Sequence, residues 1–191
     1  MSYFRDYFLE SSRVLTACSE DVPKLESLGA AMWKVLKEGG SIYWLGNGGS
    51  ASDAEHLAAE LAGRFRVDRR PLSSYTLTAN SSLITAIAND YGYEQVFSRQ
   101  VVAYLKPKDL IIGISTSGKS INVLNALNAA NEIGATTCIM TGFRNDFEVR
   151  YDFVVNIKSS ETCHIQEAHI AVGQALCGYI EDKVMSEDQS N

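Results

Sequence analysis

The first apolar pattern in the chain is helical. In YFRDYFLESSRVLTA, from Tyr3 to about Ala17, Phe4, Tyr7, Phe8 and Leu15 recur at spacings that one helix face can gather. A second helix is expected from near Pro23, behind the cap candidates Ser19 and Asp21, to Gly39-Gly40. Leu25, Leu28, Met32, Val35 and Leu36 form its apolar stripe, and Gly-Gly after a Lys-rich last turn is a stop signal.

Beyond Gly40 the period changes. SIYWLG reads as a short buried strand, ASDAEHLAAELAGRF as a helix and SSYTLTA as a strand. SSLITAIANDYG and EQVFSRQVVAYL read as two helices, DLIIGIS as a strand and INVLNALNAANEIG as a helix. ATTCIMTG and DFVVNI are further strands, and a long helix runs through ETCHIQEAHIAVGQALCGYIEDKVM. Strands alternating with helices predict a parallel sheet in a three-layer α/β/α sandwich. The two leading helices fall outside that alternation, and the aromatic face of the first is expected to extend the domain or to meet another subunit. In open parallel sheets ligands bind beyond the carboxyl ends of the strands. That rule directs attention to GNGGS, TANSS, STSGKS and TGFRND, which follow the first four strands.

Composition narrows the picture without changing it. The 191 residues suit one domain, with helices over about 2–38 and an α/β core over about 41–186. Apolar residues make up 46 %, and no repeat or low-complexity tract divides the chain. The net charge is -6 and the only basic cluster is Arg64, Arg66, Arg69 and Arg70, which argues against nucleic acid as a partner. No basic start followed by an apolar segment and no bilayer-length apolar run occurs, so no membrane association is expected and the cytoplasm is the expected compartment. Cys18, Cys138, Cys163 and Cys177 lack C-x-x-C spacing and read as buried or half-buried thiols in a reducing cytosol.

The stretch GISTSGKS, Gly113 to Ser120, has the spelling of a nucleotide-binding P-loop. A Walker B strand ending in Asp is missing, since CIMTG and FVVNI both lack it. Ser115, Thr116, Ser117 and Ser120 instead place four hydroxyls at a helix start, a good cradle for a monophosphate. GNGGSASDAEH has the same strand–loop–helix setting and a loose G-x-G-x-x-A pattern at Gly46, Gly48 and Ala51. The acidic partner of a dinucleotide site is not where that site needs it, so a small ligand lying close to backbone fits better. His56 and Glu60 are four apart on the following helix and point from one face, near the ligand edge, where metal binding or acid/base work is plausible. On the last helix Gln166 and His169 share a face, and His164 is expected to cap the helix start.

Together GNGGSASDAEHLAAEL, AIANDYGYEQVFSRQV, ISTSGKSINVL and HIQEAH resemble the phosphoheptose isomerases (sedoheptulose 7-phosphate isomerases) of the sugar isomerase, or SIS, superfamily, in order and over about Tyr3 to Val184. The resemblance implies a five-stranded parallel sheet and a homotetramer with active sites between subunits. It implies isomerisation of sedoheptulose 7-phosphate to D-glycero-D-manno-heptose 7-phosphate for activated heptose and surface glycans. Carried over, Asn47, Gly48 and Gly49 line the sugar, Asn89 and Asp90 contact it, and Ser115, Thr116, Ser117 and Ser120 take the phosphate. Ser50 and Arg64 also match positions near the substrate, and zinc is implied at His56, Glu60, Gln166 and the position eight residues after Gln166. There the family has a histidine and this chain has Gln174, whose amide cannot carry a proton. Cys163 also stands where relatives often carry a different polar or charged residue. Glu60 is then the expected acid/base, with His169 or a metal-bound water in place of the missing imidazole. The alternatives are an isomerase giving another heptose stereoisomer or acting on another sugar phosphate, and a non-catalytic SIS protein that binds a replication initiator.

Overall fold

The computed structural model describes residues 2–143, 146–147 and 149–188, so Arg144 and Asn145 of the TGFRND loop lie outside the described residues. Helices α1 (Tyr3–Cys18) and α2 (Val22–Lys37) lead into β1 (Ile42–Gly46), α3 (Gly49–Ala62), β2 (Ser74–Thr76), α4 (Ser81–Tyr91) and α5 (Ser98–Tyr104). Then follow β3 (Leu110–Ser115), α6 (Ile121–Ile133), β4 (Thr136–Gly142), β5 (Phe153–Ile157) and α7 (Thr162–Asp188). The five strands form one parallel sheet in the order β2-β1-β3-β4-β5.

The sheet is covered on both faces, which is why β1 and β3 are apolar at nearly every position and buried throughout. Alternate residues go to opposite layers. Ile42, Trp44, Ile112 and Ile114 pack with α2, α3 and α7, while Tyr43, Leu45 and Ile111 pack with α5 and α6. Trp44 is fully buried because its indole N–H finds the Ser74 hydroxyl at 3.0 Å. Strand order reverses between β1 and β3, and the crevice at such a reversal is where open α/β sheets take ligands.

Several boundaries differ from the sequence pattern. Helix α3 opens earlier, at Gly49, and stops at Ala62 because Gly63 follows, which leaves Arg64 and Phe65 beyond it. Strand β2 is shorter than SSYTLTA, although Leu77 still donates to the Trp44 carbonyl. In EQVFSRQVVAYL a short 3-10 turn, Tyr93–Gln95, precedes α5, so the segment is not one continuous helix. Asp21 is the N-cap of α2 but makes no side-chain cap bond.

His164 does not cap α7. It is buried in the seam between α1 and α7, its ring centroid 4.6 Å from that of Tyr7 with the planes tilted by 49°, and hydrogen-bonded to Ser11 at 3.1 Å. Ser11 also donates to Glu167 at 2.7 Å, and Tyr7 donates to the other Glu167 oxygen. This cluster docks α1 onto α7 and leaves Tyr3, Phe4, Phe8 and Leu9 exposed on the outer face. Among the cysteines, Cys138 and Cys177 are buried and Cys18 is half-buried, but Cys163 is exposed, contrary to the expectation of four sheltered thiols.

Candidate active site

Two loops meet at the carboxyl edge of the sheet. The first, between β1 and α3, turns at Gly48, whose φ of 56° and ψ of -122° suit glycine and few other residues. Gly49 then runs so close to α7 that an added Cβ would stand 2.6 Å from Gln166 Nε2. A side chain at position 49 would push Gln166 away from the loop. Ser50 is buried at the helix start.

The second loop, between β3 and α6, holds its own hydroxyls in order. Ser115 donates to Ser120 at 3.0 Å, and the Lys119 backbone N–H donates to Ser117 Oγ at 3.1 Å. Ser115 is buried, Thr116 and Ser120 are half-buried and Ser117 is exposed. Thr116 and Ser117 line an open recess of about 680 Å³ with Lys119, Gly142 and Ile165. The positive end of the α6 dipole favours an anion there.

Asn47 of the first loop and Asn122 of α6 bridge the two loops. Asn47 Nδ2 donates to Asn122 Oδ1 at 2.9 Å, and Asn122 Nδ2 donates back to Asn47 Oδ1 at 2.8 Å. Tyr93 adds its hydroxyl to Asn47 Oδ1 at 3.0 Å. Sequence reasoning singled out Asn47 but neither Asn122 nor Tyr93. Asn122 did carry a signal, as a polar residue on the buried stripe that Val123, Ala126, Leu127 and Ala130 share. Tyr93 carried none.

On α3, His56 Nε2 and Glu60 Oε1 meet at 2.8 Å, as the four-residue spacing predicts. Glu60 is the more sheltered, with its side chain 17 % exposed against 49 % for His56. Helix α7 lies alongside, with Gly173 packed so tightly on Leu57 that a Cβ would come within 2.4 Å of it. Burial pushes the Cys177 thiol up to about 12, and the nearby Glu60 charge adds to the rise, which places Glu60 at the α3–α7 seam. Gln166 and Gln174 are half-buried on α7. On α3, burial also raises the Asp53 carboxyl, with His56 opposing the shift.

The remaining candidates lie outside the two loops. Asn89 and Asp90 hydrogen-bond each other at 2.8 Å on the exposed end of α4, with no hydrogen bond to either loop among the described residues. Arg64 is exposed beyond α3. His169, the expected substitute for the missing imidazole, is wholly buried under β4. Burial lowers its pKa to about 4, with the Thr141 backbone opposing, so the ring is neutral at physiological pH. A proton carrier has to touch the sugar, and a ring enclosed in the interior is not placed to do so.

A hydroxyl-rich loop at a topological switch point, linked through Asn122 to the loop that opens α3, accords with a SIS-domain protein, and the SIS domain family model matches residues 6–142. The phosphoheptose isomerase of Aquifex aeolicus is 45 % identical over 182 residues, covering 93 % of this chain and 94 % of its own. Among solved structures, the phosphoheptose isomerase of Neisseria gonorrhoeae is 36 % identical, with a TM-score of 0.83 over 94 % of this chain and 97 % of that one. The enzyme of Francisella tularensis is 30 % identical, with a TM-score of 0.89 over 94 % and 96 %. The chain belongs to the phosphoheptose isomerase family.

Proposed function

We propose that this chain isomerises sedoheptulose 7-phosphate to D-glycero-D-manno-heptose 7-phosphate, supplying a heptose for activation and transfer to surface glycans. The observation that supports the reading is an ordered Ser/Thr loop, with Ser115 and Ser120 linked at 3.0 Å, beside a loop whose helix, α3, carries a sheltered carboxylate, Glu60. That the similar proteins are phosphoheptose isomerases supports the substrate class.

In this reading Ser115, Thr116, Ser117 and Ser120 hold the terminal phosphate, and Asn47, Gly48, Gly49 and Ser50 line the sugar chain. Glu60 takes the proton from C1 of the ketose. The C1–H bonding electrons form the C1=C2 bond of an enediolate as the C2 carbonyl electrons move onto O2. The O1 proton then passes to O2, and the O1 electrons close the C1=O1 bond as the C1=C2 electrons take the carbon proton back from Glu60 at C2, which completes the exchange. Uncharged Gln174 cannot share that proton traffic, so Glu60 carries it alone at carbon. Asn89, Asp90 and Arg64, exposed and without a hydrogen bond to either loop among the described residues, reach substrate by contribution across a subunit boundary in the proposed homotetramer, whose contact surface includes the exposed aromatic face of α1.

The residues present fit a zinc ion. His56 and Glu60 present an imidazole and a carboxylate from one face of α3, hydrogen-bonded at 2.8 Å, and Gln166 and Gln174 offer amide oxygens from the neighbouring helix. Among the described residues no third His, Cys, Asp or Glu joins them, so the set is poorer than the usual zinc set. When bound, the ion supplies Lewis acidity toward the sugar oxygens.

Glu60→Gln tests the reading. The variant keeps the shape of the side chain but not its basicity, so aldose formation from sedoheptulose 7-phosphate is expected to fall to background while the unfolding midpoint holds. Turnover at the unmodified rate would remove Glu60 from the reaction. Because Gln174 replaces the family histidine, chiral analysis of the product accompanies the assay; a different stereoisomer would favour the altered-specificity reading.

A further inference from the structure

The Asn47–Asn122 pair spans two segments that the proposed reaction uses at opposite ends of the substrate. Which atoms face each other is fixed by the backbone. The Val123 N–H donates to Asn122 Oδ1 at 3.0 Å, so the atom at that position is the oxygen. The other amide atom of Asn122 is therefore the nitrogen, and it must find an acceptor. That acceptor is Asn47 Oδ1, at 2.8 Å. Asn47 Nδ2 in turn faces Asn122 Oδ1 at 2.9 Å, and the Tyr93 hydroxyl, 3.0 Å from Asn47 Oδ1, must be donating.

Donor and acceptor capacity then decides what Asn47 can do. Its carbonyl oxygen has two lone pairs and both are taken, by Asn122 and by Tyr93. Its amino group has two hydrogens, and Asn122 takes one. One hydrogen is left. Asn47 can only donate to a ligand, and only along the direction that the pair leaves open. A free asparagine at this place would rotate and could either accept or donate.

We propose that Asn122 and Tyr93 are positioning residues that set Asn47 as a fixed donor to a sugar oxygen and hold the β1–α3 loop in register with the phosphate loop. The proposal rests on the isomerase reading above. Asn122 suits the role because it is buried beside Ser120, two residues into α6, so that the phosphate cradle and the clamp belong to one rigid element. Tyr93 is largely exposed and its hydroxyl oxygen retains acceptor capacity after donating, so it closes the clamp from the solvent side. Released from the clamp, the C1–C2 end of the sugar would shift relative to Glu60 while its phosphate stayed anchored. A displacement near 1 Å costs on the order of 10²-fold in rate.

The test is a set of substitutions assayed with sedoheptulose 7-phosphate, with inorganic phosphate as competitive inhibitor. Asn122→Asp is the principal variant. It is isosteric and keeps the acceptor for Val123 and Asn47, but it cannot donate to Asn47 Oδ1. The expected result is a kcat lower by roughly 10- to 100-fold, with a much smaller rise in the inhibition constant for phosphate; the buried carboxylate also lowers the unfolding midpoint, so the assay is run well below it. Tyr93→Phe, at a surface position, is expected to lower kcat by several-fold in the same pattern. The double variant Asn47→Ala with Asn122→Asp should be no slower than Asn47→Ala alone, because both changes break one unit. If the two effects multiply instead, or if Asn122→Asp weakens phosphate inhibition as much as it lowers kcat, the positioning role is overturned. An active unmodified enzyme whose Asn122→Asp and Tyr93→Phe variants match it would overturn this inference alone. An unmodified chain inert toward the sugar phosphate would overturn the functional reading and this inference with it.

Discussion

Replacing Glu181 by Gln is expected to destabilise the chain far more than any neighbouring charge change. Glu181 on α7 is 1 % exposed. Its oxygens accept from the Arg66 N–H at 3.1 Å, the Val67 N–H at 3.3 Å and Arg66 Nε at 3.3 Å. They also face Arg69 Nε at 3.8 Å, and the Arg69 side chain is completely buried. Arg69 in turn ties off the end of α3, donating to the carbonyls of Glu60 at 2.7 Å and Leu61 at 2.8 Å. The carboxylate thus balances the one charge that closes the helix carrying the proposed base. Burial alone would raise the Glu181 pKa, but the converging N–H donors outweigh it and hold the group below the ordinary carboxylate value.

In Glu181→Gln one oxygen becomes an NH2 that meets a donor, and Arg69 loses its counter-charge. Removing one partner of a buried pair costs about 3–5 kcal/mol. For a chain of this size that corresponds to a midpoint drop of roughly 6–20 °C. Asp182→Asn is the control. Asp182 meets Arg66 at 2.9 Å but its side chain is 75 % exposed, so the loss should stay within about 1 kcal/mol. The assay is thermal unfolding followed by circular dichroism at several pH values. The folded pKa lies below the unfolded one, so the stabilisation is present above the unfolded carboxylate value and is lost as pH falls through the lower folded value. The two melting curves should therefore converge in acid. Equal midpoints at neutral pH, or an Asp182→Asn loss as large as that of Glu181→Gln, would refute the reasoning.

Three further outcomes are expected. Gly48→Ala has open space around the new methyl but a backbone conformation that alanine resists, so it should cost about 1–3 kcal/mol or remodel the loop, read as a lower melting midpoint or lost turnover. His169 is neutral when folded with a pKa of about 4, whereas the unfolded chain protonates it near its ordinary value; stability should therefore fall by up to about 3 kcal/mol as pH drops from about 6.5 to 4, and His169→Gln should flatten that slope in urea titrations. Dialysis against a chelator should remove isomerase activity and added zinc should restore it, with full activity of the metal-free protein excluding zinc from the reaction.

Much of the architecture was legible along the chain because it is governed by near neighbours. The apolar runs IYWLG and LIIGIS announce buried strands, and the glycine and Ser/Thr loops that follow them fall at the sheet's carboxyl edge. The His56–Glu60 pair needed only the helical repeat. The termini of α3 and the broken start of α5 were less readable, since a glycine or a 3-10 turn shifts a boundary without changing the surrounding pattern.

What the sequence by itself determined is the alternation of strands and helices, the chemistry of each loop and the absence of an imidazole at Gln174. Only the tertiary structure decided which distant groups meet. It joined Asn47 to Asn122 across 75 positions, put His164 in the α1–α7 seam, buried His169 under the sheet and set Glu181 against Arg69. The physical reason is that periodicity records which face of an element is turned inward, whereas a hydrogen bond between elements depends on strand order and helix packing, which no local repeat encodes.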